Sequence, residues 1–256
     1  MKTKYSCKKH YLVLGSILSA CLLLLSYKSD IEKPGNASKY SVAQTKVLPN
    51  SPLSGKSLIF LGSSVTLGAA SEKESFVDFI RKRDNCTCIK DAVSGTTLMD
   101  NGNESYIKRL QKLPIQLKVD AFICQLSTND THFNGLTKLG LISNTKDTSD
   151  YDTNTTLGAI QYIISYVKKT WNCPLFFYTN SYFKDKNYEV LIKELYKIQK
   201  KDNIYIIDLY NDKKFNNISS DRLKLYMAND LIHPYKAGYK LWWTPFIEEH
   251  LYKILK

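Results

Sequence analysis

From Ser57 onward, short apolar runs alternate with stretches whose apolar residues recur every three or four positions. The runs are Ser57–Leu61, Thr87–Val93, Ala121–Leu126, Leu175–Tyr178 and Ile204–Leu209. They are near-continuous rather than alternating, the pattern of strands covered on both faces. The intervening periodicity predicts helices over Ser75–Lys82, Ser105–Lys112, Thr156–Trp171 and Tyr188–Lys200, with a last one over Tyr235–Leu255. In the third, Leu157, Ile160, Ile164, Val167 and Trp171 form a stripe suited to packing on a sheet. Strand and helix in alternation predict an α/β fold: a five-stranded parallel sheet between two helical layers, joined by right-handed crossovers. Such sheets place their chemistry at the carboxyl ends of the strands.

The pattern changes upstream of Ser57. Lys2, Lys4, Lys8 and Lys9 precede an apolar run from Tyr11 to Tyr27. Basic then apolar is the layout of an export leader, with the lysines on the cytoplasmic side. Three fates are open for this 1–27 segment, in this order. It is an uncleaved membrane anchor; or a lipoprotein signal, because Leu18-Ser19-Ala20-Cys21 resembles a lipobox; or a cleaved signal of a secreted protein. All three place the remainder outside the cytoplasm. Residues 28–56 are polar, carry three prolines and show no period, so they read as a flexible tether. Its ends would lie about 30 Å apart as a random coil. The folded domain is then expected over 57–256.

Composition narrows the classes. Of 256 residues 43% are apolar and 12% aromatic, enough for a full core, while 11 Gly and 7 Pro exclude collagen-like or low-complexity chains. The formal net charge is +12. A third of it is the leader's four lysines, and the rest is scattered without a nucleic-acid recognition motif, so no nucleic-acid partner is expected. A basic surface outside the cell would suit a negatively charged envelope polymer. Of the six cysteines, Cys7 and Cys21 lie in the leader, and Cys124 sits in an apolar run as a buried thiol would. Cys86 and Cys88 are two apart and share a strand face, a spacing that is not a metal knuckle. The pairing of Cys86, Cys88, Cys124 and Cys173 is left open, and no metal or cofactor is expected.

Four short blocks fall where the strands should end. The first is Gly62-Ser63-Ser64-Val65, a serine after a strand and before a helical turn; the second is Val93-Ser94-Gly95-Thr96, where a glycine can offer an unshielded N–H. The third is Ser127-Thr128-Asn129-Asp130, whose carboxamide can point into the same crevice. The fourth is Asp230-Leu231-Ile232-His233-Pro234, in which an aspartate three residues before a histidine can fold back onto Nδ1. Taken singly, each block also reads as an ordinary turn.

In order and placement the four together resemble the SGNH (GDSL-type) hydrolases, over about residues 57–255. The resemblance implies a flavodoxin-like three-layer sandwich and a serine esterase. It makes Ser64 the nucleophile, His233 the general base and Asp230 the residue that orients it. The oxyanion hole would be the Ser64 and Gly95 N–H groups with the Asn129 side chain. Two positions depart from the family pattern. Ser63 stands where the family has aspartate, and Ser127 stands where it has glycine, which asks more of the backbone and can tilt Asn129. The spacing to Val65-Thr66 favours Ser64 over Ser63 as nucleophile.

The implied reaction is hydrolysis of acetyl or short acyl esters on a carbohydrate or cell-envelope substrate, by a monomer. An O-acyltransferase using the same three residues, or a catalytically silent glycan-binding module, are the alternatives. Residues 131–155 read as a long insertion that could shape the pocket, and no continuous apolar lid marks a lipase.

Overall fold

Each of the five apolar runs forms a strand: β1 Ser57–Gly62, β2 Thr87–Ala92, β3 Ala121–Gln125, β4 Leu175–Tyr178 and β5 Tyr205–Ile207. All pair in parallel, in the order β2-β1-β3-β4-β5. The structure, a computed structural model, describes residues 33–145 and 147–256. The leader expected over 1–27 lies outside the described residues. Among those described, no helix is long and apolar enough to cross a membrane.

Side chains alternate across the sheet and supply two cores. Ile59, Leu61, Phe122, Cys124, Leu175 and Phe177 face one way, towards α3 Tyr106–Lys112, α5 Thr156–Thr170 and α6 Lys186–Asp202. Leu58, Phe60, Ala121, Ile123, Phe176 and Tyr178 face the other, towards α2 Phe76–Arg83 and α9 Thr244–Ile254. Burying one such aliphatic or aromatic side chain stabilises by roughly 1.5–3 kcal/mol, so each strand contributes through both faces. The helix stripe expected at Leu157, Ile160, Ile164 and Val167 is buried in the first core.

Three short helices join those predicted: α1 Ser64–Leu67, α4 Asn129–Asn134 and α7 Ser220–Tyr226. The insertion expected over 131–155 therefore begins inside α4 and later includes a 3₁₀ turn at Thr148–Asp150. The single helix expected over Tyr235–Leu255 is interrupted. A short α8 Lys236–Gly238 passes into a π-helical turn at Tyr239–Trp243 before α9 begins. Pro245, in the first turn of α9, has no N–H to continue the α-helical ladder, which accounts for the wider turn before it.

The flexible tether expected over 28–56 is corrected for its described part. Residues 33–56 form a strap laid against the domain, with 3₁₀ turns at Pro34–Asn36, Ser38–Tyr40 and Val42–Gln44. Buried Asn36 joins two distant segments: its Nδ2 donates to the Ala70 carbonyl at 2.7 Å, and its Oδ1 accepts from Lys236 N–H at 3.0 Å. Gly35 lies so close to Tyr235 and the Leu225 carbonyl that a Cβ would overlap both. Further along, Leu48 N–H donates to the Arg83 carbonyl at 2.7 Å, and Leu53 is fully buried in the second core. The strap is held by side-chain and backbone hydrogen bonds and by isolated apolar anchors, which leave no periodic signature.

Two variants distinguish a strap from a tether. Asn36→Ala should cost about 1–3 kcal/mol by leaving buried partners unpaired, and Leu53→Ala about 2–5 kcal/mol by opening a cavity. Both are read as lower urea midpoints of the full chain; unchanged midpoints would mean the segment is loose.

Candidate active site

In the order β2-β1-β3-β4-β5 the chain reverses its direction of growth between β1 and β3, and that switch point opens a crevice at the strands' carboxyl ends. Ser64 follows β1 and Asn129 follows β3, so both stand at this crevice, with Gly95 after neighbouring β2. The turn out of β1 is held from below by Gln125, the last residue of β3. Its Oε1 accepts from Ser63 N–H at 2.9 Å, from Thr66 N–H at 3.3 Å and from the Thr66 hydroxyl at 2.7 Å. Gly62 must be glycine: a Cβ there would stand 1.6 Å from Thr66 Oγ1 and 2.8 Å from Gln125 Oε1. Ser63 is fully buried, whereas Ser64 opens onto the cleft as the first residue of α1.

His233 reaches Ser64 from the loop before α8. Its Nε2 lies 2.7 Å from Ser64 Oγ, and its Nδ1 lies 2.6 Å from Asp230 Oδ2. The other Asp230 oxygen accepts from Ile232 N–H at 2.9 Å and His233 N–H at 3.0 Å. Leu231 makes this fold-back possible by adopting φ +58°, a left-handed conformation that costs a non-glycine residue roughly 1–2 kcal/mol. The base of the loop is closed by an antiparallel bridge between Met227 and Pro234. Asn180, past the end of β4, donates to the Ile232 carbonyl at 3.3 Å. Burial pushes the Asp230 carboxyl up, but its hydrogen bond to His233, the ring's charge and the two N–H groups outweigh this. The carboxyl therefore lies below the usual range and stays ionised beside the imidazole.

Gly95 has φ +76° with open space around its Cα, so glycine is needed there for backbone conformation rather than room. Asn129 Nδ2 donates to the Thr96 carbonyl at 2.8 Å, which leaves its second N–H for a ligand. The tilt expected from Ser127 has a local answer. Its hydroxyl accepts from Asn129 N–H at 3.1 Å and donates to the Thr96 carbonyl at 3.4 Å, bracing the amide it precedes. Asp130 turns inward, fully buried, and accepts from Leu98 N–H at 2.8 Å and Met99 N–H at 3.3 Å. Burial raises its carboxyl to about 6.

Ser64, Gly95, Asn129, Asp230 and His233 thus line one cleft of about 670 Å³, together with Ala69, Ala70, Phe133, Phe183 and Ile232. All five residues singled out in the sequence meet here. Gln125, Asn180 and Asn36 were not singled out; each is a buried carboxamide near a strand end or turn, and its partners lie far off in the chain. The four described cysteines are free thiols, with the Cys86 and Cys88 sulfurs 3.5 Å apart.

The fold is similar, at low sequence identity, to solved structures described as GDSL-like lipases and carbohydrate esterases. A GDSL-like lipase structure from Bacteroides ovatus superposes with TM-score 0.57 at 20% identity, over 78% of this chain and 99% of that one. An acetyl xylan esterase, AlAXEase, gives 0.55 at 16% identity, over 77% and 98%. A family two carbohydrate esterase from Clostridium thermocellum, solved with cellohexaose, gives 0.52 at 14%, over 81% and 65%. No family profile and no curated protein matches the sequence.

Asp130 generates a pH prediction. Its folded value of about 6 exceeds the usual 3.8, so the native state holds the proton more tightly between those limits. Stability is then lost as pH rises from about 4 to 6, by an amount on the order of 1–3 kcal/mol. Urea midpoints measured across that range should fall more steeply for the wild type than for Asp130→Asn. Equal slopes would mean that the carboxyl is not perturbed.

Proposed function

We propose that the protein is a serine esterase that removes acetyl or other short acyl groups from a carbohydrate or cell-envelope substrate. The observation that carries this reading is the chain Ser64 Oγ–His233 Nε2–Asp230, at 2.7 and 2.6 Å, in a cleft that Gly95 and Asn129 also line.

In this reading Ser64 Oγ attacks the ester carbonyl carbon while His233 Nε2 takes its proton. Asp230 keeps the Nδ1 proton in place and stabilises the imidazolium. The negative charge on the former carbonyl oxygen is met by the Ser64 and Gly95 N–H groups and the Asn129 Nδ2. The C–O bond to the alcohol then breaks, and the departing oxygen recovers the proton from Nε2. Water repeats the sequence on the acyl-enzyme: Nε2 takes its proton, the Ser64 ester breaks, and the carboxylic acid leaves. Losing one oxyanion donor typically costs about 10²–10³ in turnover.

The acyl group and acceptor are inferred more indirectly. Small Ala69 and Ala70 line the cleft with Phe133, Phe183 and Ile232, an apolar setting that suits a short acyl chain. His132 and Asp185 on the same walls can meet sugar hydroxyls. The carbohydrate esterases among the similar structures agree with this substrate class. The basic leader, read from sequence, supports an extracytoplasmic site of action.

Purified protein should hydrolyse p-nitrophenyl acetate and release acetate from acetylated xylan or wall glycans, and should act slowly on p-nitrophenyl palmitate. Ser64→Ala should lose at least about 10³-fold in kcat with an unchanged melting temperature. Retained turnover by that variant would refute the assignment, and a preference for the long chain would refute the substrate class.

A further inference from the structure

We propose that Arg109 and Thr96 are positioning residues that hold the Gly95 loop and the Asn129 amide in register with Ser64. This rests on the esterase reading above and adds a device that sets its oxyanion hole.

Arg109, on α3, is only 4% exposed, an unusual place for a guanidinium. An ion pair alone would need only Asp91, which lies 2.6 Å from Nη1. The remaining donors go elsewhere. Nε donates to the Glu104 carbonyl at 2.9 Å, and Nη1 also to the Asp91 carbonyl at 2.8 Å. Nη2 donates to the Gly62 carbonyl at 2.8 Å and to Thr96 Oγ1 at 3.3 Å. Gly62 stands two residues before Ser64, and Thr96 directly follows Gly95, which the esterase reading gives to the oxyanion hole. One planar group therefore spans the end of β1 and the loop after β2.

Thr96 passes the constraint on. Its hydroxyl donates to the Val93 carbonyl at 2.7 Å, closing the turn around Gly95, and its own carbonyl accepts from Asn129 Nδ2 at 2.8 Å. Ser94 and Gly95 themselves are exposed, so the loop has little packing of its own to fix it. Gly62, Thr96 and Asn129 are thus joined through one guanidinium and one threonine. The geometry that matters is fine, because displacement of a donor by a fraction of an ångström weakens a bond formed only in the transition state.

The test compares Thr96→Val and Arg109→Lys with the wild type on p-nitrophenyl acetate and on a short alkylboronic acid that mimics the tetrahedral state. Thr96→Val keeps the branched shape but removes the hydroxyl. It should lower kcat about 10–100-fold with KM within about twofold, and raise the boronic acid Ki by a similar factor. Arg109→Lys should keep the fold and fail to restore kcat, because one ammonium cannot span Asp91, Gly62 and Thr96 together. A purely structural role would lower the melting temperature and leave kcat and Ki unchanged. A folded Thr96→Val with wild-type kcat and Ki would overturn this proposal alone. A wild-type protein inactive towards the ester would overturn the esterase reading and this proposal with it.

Discussion

Gln125 sits where two neighbouring strands end, and its side-chain oxygen collects three donors from the turn that carries Ser64. That contact depends on register. Parallel pairing sets Leu61 opposite Cys124, so the next residues of β1 and β3 leave the sheet side by side. A carboxamide on β3 can then replace the backbone partners that the β1 turn gives up on leaving the ladder. The Tyr178 hydroxyl, 2.5 Å from Thr66 Oγ1, extends the same network to β4. Because buried polar groups are costly to leave unpaired, these bonds hold the turn in one arrangement. In it Ser63 is buried and Ser64 faces the cleft.

The rest of the site is brought to that fixed point by longer reaches. His233 arrives from a loop 169 residues away, shaped by the left-handed Leu231 and tied to β4 through Asn180. The strap at Asn36 joins Ala70, on one wall of the cleft, to Lys236, just beyond the histidine. Arg109 does a similar task on the opposite side, between β1 and the Gly95 loop. The cleft is therefore lined by five short segments whose relative positions are set by buried polar cross-links, while the apolar layers supply the platform. The platform is made by cores on two sheet faces, and the cross-links lie at one edge.

The sequence made the platform readable because its signals are periodic. Runs of four to seven apolar residues, separated by stripes at helical spacing, define a covered parallel sheet, and strand ends follow from run ends. The four site blocks were legible because each lies within a few consecutive residues, as Asp230 and His233 do. What could not be read was pairing at a distance. Asn36 sits in a segment with the composition of a linker, and its value lies in partners 34 and 200 residues away. Arg109 looks like a surface residue of a basic helix until the fold turns it under β1. The interruption at Tyr239–Trp243 was hidden for a different reason, since the apolar spacing continues through it and only Pro245 hints at the break.

The proposed chemistry depends on one serine being activated within a particular hydrogen-bonded chain. Its most direct test is covalent: incubate the protein with a fluorophosphonate, digest it, and locate the adduct by mass spectrometry. A single adduct on Ser64, none on the adjacent Ser63, and loss of labelling in His233→Ala are expected. An unlabelled protein, or an adduct at any other residue, would contradict it.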